Sequence, residues 1–337
     1  MSNNFKRVTR ADVARHAGVS ETIVSYVLNN NRYVDKAKRE LVEKAVKELN
    51  YKPNNIARAL KGKNSNHIIF IADQITNEHF SKIISEMDQY SYEKGYLISL
   101  TSNRNNEEFV SQIISHQYDG IVISSISFPE NYIQEFVDAR IPVVVLMNHD
   151  YHNLNGVGKI YTGLYSGAKD CVKHLISKGR KNILYLDRFS ARGHFSNMDD
   201  LRYRGFVEQM QESGLSFTHR NIITGCKDEA EVKLKIQQRI KEGYTVDAIF
   251  GRNDKLAFIG IQAVKELGYR IPEDISVIGF DNSSLSQYNS PTITTVELDR
   301  KGIGKAVVEM LHEMINNGTI PEPVDFNAKL IERESTL

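Results

Sequence analysis

Polar side chains gather in this sequence where short elements begin or end, the places from which they can reach another molecule. Glu21, Thr22, Ser25, Tyr26 and Asn29 fall on the outer side of a segment whose Ile23, Val24, Val27 and Leu28 recur at helical spacing. A carboxylate, three hydroxyls and an amide on one helix face are hydrogen-bonding equipment. A second set closes a series of apolar runs: Asp73, His79 and Phe80; Ser124 and Ser125; Met147 and Asn148; Asp187; Asn253 and Asp254; Phe280 and Asp281. Ligands of open α/β sheets bind beyond the carboxyl ends of the strands, so this set suits a small polar molecule.

Signals of catalysis are missing. No G-x-G-x-x-G follows a strand: Gly156-Val157-Gly158 runs on to Gly163, and Gly302-Ile303-Gly304 sits in a helical context. There is no Walker loop, nucleophile elbow or paired carboxylate in a catalytic context. Cys171 and His174, three apart on a helical pattern, read as packing rather than metal ligands. The expectation is a binding protein with neither cofactor nor metal, and not an enzyme.

The elements that position these residues are legible. Thr9 and Asp12 fit a capping box opening a helix with Val13, Ala14 and Ala17 inward, and Gly18 can end it in the left-handed conformation. Ser20 is a natural cap for a second helix, with Glu21 at its positive end. Two short helices joined by a glycine turn make a helix-turn-helix. A third starts near Lys36 behind Asp35, with Leu41, Val42, Ala45, Val46 and Leu49 as its stripe. From residue 66 strands and helices alternate. Strand candidates are 67–72, 97–100, 120–123 and 143–146, then 182–186, 222–224, 248–250 and 277–279. Helical patterns cover 80–94, 107–116, 161–177, 201–213, 229–242, 254–267 and 300–316. The pattern predicts parallel α/β sheets in two lobes.

At 337 residues the chain is long enough for two or three domains. Its net charge of +1 conceals an asymmetry: residues 1–63 hold 14 basic and 6 acidic side chains, the rest 29 and 36. A basic head on an acidic body points to a polyanion partner for the head. No apolar run approaches a membrane span, and the polar, basic amino terminus lacks a signal-peptide core, so a cytoplasmic address and no membrane are expected.

The segment VTRADVARHAGVSETIVSYVLNN, with VDKAKRELVEKAVKELNYKPNNIARALKGK after it, closely resembles the head of the LacI/GalR family of bacterial regulators. RYRGF at 202–206, GRNDKLAFIG at 251–260, IPEDISVIGFDN at 271–282 and LIERES near the end extend the resemblance over the whole chain. It implies a helix-turn-helix head at 7–50 and a hinge helix and linker at 51–64. A two-lobed, periplasmic-binding-protein-like body follows, with 65–164 plus 293–322 in one lobe and 165–292 plus 323–337 in the other. It also implies a homodimer on double-stranded operator DNA, and because the sequence stops soon after the family's last strand no tetramerising helix is expected.

By the same resemblance Tyr26, Thr22 and Glu21 occupy positions that read major-groove base edges, though Glu21 can equally serve only the helix dipole. Thr can bond either partner of a base pair, and a carboxylate can accept from cytosine N4. Thr9, Ser20, Ser25, Asn29, Arg32 and Tyr33 are placed for phosphates, and Arg10, Asn54 and Lys61 complete the DNA-facing set. Leu60 corresponds to the family's minor-groove wedge, with Ala57 against the groove floor.

In the body the resemblance implies Arg202, Asn253 and Asp281 as effector ligands, with His79 and Phe80, and Asp73 and Ser124 at their strand ends. A guanidinium fork, an amide and a carboxylate can engage the hydroxyls of a sugar or sugar derivative. Each has a plain alternative: Asp281 can cap the following turn, Arg202 can pair with Asp199 or Asp200, and Asn253 can only cap its helix. Met147 stands where relatives often carry an aspartate. With no Trp, stacking falls to Phe128, Phe189, Phe195 or Tyr288, and the loop 189–197 is longer than usual.

Overall fold

The computed structural model describes residues 7–52, 64–76 and 78–336. The chain divides into two compact units, Met1–Ser65 and Asn66–Leu337, so both expected lobes fall within one unit.

The first unit holds α1 (Arg10–Ala17), α2 (Glu21–Asn29) and α3 (Lys36–Glu48). Its caps are local and complete. Thr9 N donates to Asp12 Oδ2 at 2.9 Å while Asp12 N donates to Thr9 Oγ1 at 3.3 Å. Gly18 adopts φ 64°, which a Cβ would strain. Ser20 caps α2, and Asp35 accepts from Ala37 N at 3.0 Å at the start of α3. Val13, Val24, Val42 and Ala45 form the small core. Leu41, expected in the α3 stripe, is 50% exposed, because it lies one helical step to the flank of Val42 and Ala45.

In the second unit a six-stranded parallel sheet runs in the order β11-β5-β4-β3-β1-β2. Its strands are β1 (His67–Ala72), β2 (Leu97–Ser102), β3 (Gly120–Ser124), β4 (Val143–Met147), β5 (Gly158–Tyr161) and β11 (Val324–Asp325). Ile68, Phe70, Ile121, Val122, Val143 and Val144 are fully buried, as a sheet covered on both faces requires. The helices of this lobe are α4 (Glu78–Glu93), α5 (Glu107–Ser115), α6 (Glu130–Asp138) and α12 (Arg300–Asn317). The second lobe has a four-stranded parallel sheet in the order β7-β6-β8-β9. It comprises β6 (Ile183–Leu186), β7 (Ile222–Ile223), β8 (Ala248–Gly251) and β9 (Ser276–Ile278), with α7 (Leu164–Ser177), α8 (Leu201–Glu212), α9 (Glu229–Lys241), α10 (Asp254–Lys265) and the short α11 (Ser284–Tyr288). β10 (Thr295–Leu298) and β12 (Ala328–Ile331) pair antiparallel outside both sheets.

Several expectations need correction. Residues 158–161 form a strand, and the helix expected from Tyr161 starts at Leu164, because Gly163 turns the chain at φ 84°. α6 was not expected; only Ile133 and Phe136 of its nine residues are buried, too weak a stripe to read. β11 pairs with β5, so the chain is still in the first sheet at Asp325, beyond the expected boundary at residue 322. No described helix is long and apolar enough to cross a membrane.

Gly205, in the RYRGF segment, lets α8 press on α7: a Cβ there would stand 2.4 Å from the Tyr165 carbonyl oxygen and 3.1 Å from Ala168 Cβ. Gly205→Ala is therefore expected to lower body stability by about 1–3 kcal/mol in denaturant unfolding. An unchanged midpoint would show that the two helices separate without cost.

Candidate functional site

On the head, Glu21 and Thr22 are exposed in the first turn of α2, and Tyr33 is 91% exposed. Tyr26, expected on the outer face, is half-buried against the head core, and the Arg32 guanidinium lies 5.3 Å from its ring centroid. The two side chains thus share one position, held by cation–π attraction. Ser25 and Asn29 are bonded together, Asn29 Nδ2 donating to Ser25 O at 2.7 Å and to Ser25 Oγ at 3.2 Å. Thr9 and Ser20 serve their caps, and Arg10 opens α1. Asn54, Ala57, Leu60 and Lys61 lie outside the described residues.

In the body, the carboxyl end of β9 leads directly into Phe280 and Asp281. Asp281 has φ 95°, a costly conformation for a non-glycine residue that surrounding bonds must impose. Its N–H donates to Val296 O at 2.9 Å, and Arg300 donates to its carbonyl. Its carboxylate receives Arg202 Nη2 at 3.3 Å, and Arg202 stacks 4.0 Å from the Phe280 ring centroid. From the other lobe His79 Nδ1 approaches the same oxygen at 3.8 Å, with Phe80 packed edge-on to the imidazole at 5.2 Å. Burial pushes the His79 pKa down to about 4, so at neutral pH this imidazole is uncharged. Burial alone would raise the Asp281 carboxyl, but Arg202 and the other cations around it outweigh that and hold it below its ordinary value.

The alternatives weighed for Arg202 and Asn253 resolve in opposite ways. The Arg202 side chain takes Asp281 rather than Asp199 or Asp200 and also donates to the Arg252 carbonyl. Asp200 instead caps α8, accepting from Arg202 N and Tyr203 N at 3.1 Å, and pairs with Arg252 at 2.7 Å. Asn253 does cap α10, its Oδ1 accepting from Leu256 N at 3.0 Å. Asp73 is taken up within its own lobe by Asn103 Nδ2 at 2.7 Å, Ser125 Oγ at 2.5 Å and Ser127 Oγ at 2.8 Å. Ser124 accepts from Asn148 Nδ2 at 3.2 Å. Phe128 is no stacking candidate: it is buried between Phe109 and Phe136.

The lobes are bridged on both flanks. Glu78 accepts from Ser284 N at 2.9 Å and from its hydroxyl at 2.8 Å. Opposite, Asp150 N donates to Asp199 O at 2.8 Å and Leu201 N to Asn148 O at 3.1 Å. A separate space of about 530 Å³ beside α4 and the start of α12 is lined by Lys82, Glu86, Glu297, Arg300, Lys301 and Lys329, among others, and by none of the seven expected effector ligands. Sequence reasoning missed Arg188, Arg252 and Arg300; the first two adjoin strand ends and so carried a positional signal, whereas Arg300 carried none.

Asp254 secures the turn that presents Asp281. Its carboxylate accepts from Ser283 N at 2.6 Å, Ser283 Oγ at 2.8 Å and Thr295 Oγ1 at 2.5 Å. Burial, helped by the nearby Asp281 charge, pushes its pKa from 3.8 up to about 7. The folded state then keeps a proton that the unfolded chain has shed, a contribution to stability that is full below about pH 4 and lost as pH rises through 7. Denaturant unfolding from pH 5 to 8 should show Asp254→Asn with a flatter loss of stability than the parent protein. Identical slopes would remove Asp254 from that titration.

The comparisons with known proteins agree with this geometry. Residues 9–54 match the family described as bacterial regulatory proteins, lacI family, and residues 172–336 match the periplasmic binding protein-like domain. The HTH-type transcriptional repressor PurR of Yersinia pestis is 29% identical over 335 residues, covering 97% of this chain and 96% of the relative. The lac repressor dimer bound to operator and the anti-inducer ONPF superposes with a TM-score of 0.81 at 25% identity, over 98% of this chain and 100% of that one. A complex of the transcriptional regulator CelR with cellobiose gives a TM-score of 0.70 at 22% identity, with the same coverage of both chains. The chain therefore carries a DNA-binding head of the lacI family of bacterial regulatory proteins joined to a periplasmic-binding-protein-like body, and over its full length it is similar to a transcriptional repressor.

Proposed function

We propose that this protein is a homodimeric transcription repressor whose affinity for a palindrome-like operator is set by a small polyhydroxylated effector, a sugar or sugar derivative, held between the two lobes of its body. The observation that carries the reading is the buried Arg202–Asp281 pair, met from the other lobe by His79. A guanidinium and a carboxylate side by side offer both donors and acceptors to vicinal hydroxyls. The lac repressor neighbour holds operator and ONPF, and the CelR neighbour holds cellobiose. The DNA-facing set is Thr9, Arg10, Ser20, Glu21, Thr22, Ser25, Tyr26, Asn29, Arg32 and Tyr33, together with Asn54, Ala57, Leu60 and Lys61. Support for a homodimer comes from the edge strand β2, where Leu97 is 60% and Leu100 36% exposed beside Tyr92 of α4 at 76%. An uncovered apolar edge of a parallel sheet is a self-association surface.

A gel-shift series with three proteins tests this. The parent should retard one palindrome-like sequence selectively. Arg32→Ala should weaken binding to every sequence, and loss of one phosphate contact should flatten the log–log salt dependence by about 0.9. Asp281→Asn should still bind operator but no longer answer any sugar that shifts the parent. Unselective binding by the parent, or lost operator binding by Asp281→Asn in a folded protein, would contradict the reading.

A further inference from the structure

Arg188 follows Asp187 at the carboxyl end of β6, on the second-lobe side of the cleft. Its Nε is buried and has no hydrogen-bond partner among the described residues. The charges that bear on it are Arg252, Asp187, Asp200 and, from the first lobe, Asp73. Each of those carboxylates is also bound by other donors. Asp200 is paired with Arg252 at 2.7 Å. Asp187 accepts from Ser196 Oγ at 2.6 Å, Ser196 N at 3.1 Å and Thr224 Oγ1 at 2.8 Å. Asp73 is taken up by Asn103, Ser125, Ser127 and the Ile126 amide. Burial and the like charge of Arg252 outweigh the three carboxylates and depress the Arg188 pKa.

Two further buried nitrogens nearby lack partners. Arg202 Nε is one, on a side chain that donates to the Arg252 carbonyl. His149 Nδ1 is the other, on the first lobe, in the field of Asp200 and Asp73. A guanidinium N–H taken out of water without a partner is costly, and an apolar or merely hydroxylated neighbour does not restore its lost solvation as an opposite charge does.

We infer that the effector carries an anionic group, a phosphate ester or carboxylate, seated on the Arg188 guanidinium, with its hydroxylated part against Arg202 and Asp281. This rests on the sensor reading above and narrows it from sugars in general to sugar phosphates and sugar acids. The loop 189–197 has a role in this arrangement: Ser196, near its end, bonds both Asp187 and Arg252 and so fixes the acid and the cation that flank Arg188.

Thermal shift and calorimetric titration of the full chain test it with matched pairs, glucose with glucose 6-phosphate and fructose with fructose 6-phosphate, together with glucuronate and inorganic phosphate at constant ionic strength. At least one anionic ligand should bind tenfold or more tighter than its neutral parent, and inorganic phosphate should raise the melting temperature. Phosphates binding while glucuronate does not identifies the ester; the reverse identifies the acid. Arg188→Gln should lose the anion preference and Arg188→Lys should retain part of it, which separates loss of charge from failure to fold. Neutral sugars binding as tightly as their phosphates, with Arg188→Gln unchanged, would overturn the inference and leave the sensor reading standing. An anion preference that survives in Arg188→Gln would also overturn it. If phosphate stabilises the parent but not Arg188→Gln while no sugar binds, the anion seat stands and the sugar half of the sensor reading falls.

Discussion

The body is organised around one carboxylate that must be buried and charged at once. Asp281 tolerates this because Arg202 meets its side chain and Arg300 its carbonyl, while its N–H is tied to Val296. Removing one partner of such a buried pair costs about 3–5 kcal/mol, because the survivor is left charged and unsolvated. The requirement spreads outward. Arg202 needs its place on α8, Asp200 caps that helix, and Arg252 neutralises Asp200. Arg300 reaches the same point from the start of α12, a helix of the first lobe. One buried charge thereby links both lobes and the strands between them.

That arrangement suits a sensor more than a rigid scaffold. His79 brings the first lobe to within 3.8 Å of Asp281 as a neutral imidazole, so it adds a contact without adding a charge. Several of the bonds on the flanks, Glu78 to Ser284 and Asp150 to Asp199 among them, are made by exposed or half-buried groups. Interactions of that kind contribute little each, so two lobe arrangements can lie close in free energy. A ligand shifts such an equilibrium only by the difference in its affinity for the two arrangements.

The head was legible because its determinants are local. Thr9 with Asp12, Gly18, Ser20 and Asp35 each act within four residues of themselves, and every one occupies the cap or turn its type suggests. The strand ends of the body were legible for a similar reason, since long apolar runs mark buried parallel strands. What escaped was non-local. β5 hides in a glycine-rich stretch because Gly158 makes room for Met310 of α12, a packing fact remote in sequence. β10 and β12 take their structure from each other across 29 intervening residues. The Asp200–Arg252 and Asp281–Arg300 contacts join positions that no periodicity relates. Phe128 was one of four candidates for stacking on a sugar, and only tertiary packing with Phe109 and Phe136 shows it to be core.

The central claim is that operator and effector act on one equilibrium of the same protein. Reciprocity is its signature: whatever factor the effector applies to operator affinity, operator must apply to effector affinity. Calorimetric titration of the effector into the full chain, once free and once saturated with operator, measures this. The account predicts two affinities that differ by about 5–150-fold, corresponding to about 1–3 kcal/mol of coupling, and by the same factor as the effector's effect in gel shift. Equal affinities with and without operator would contradict it.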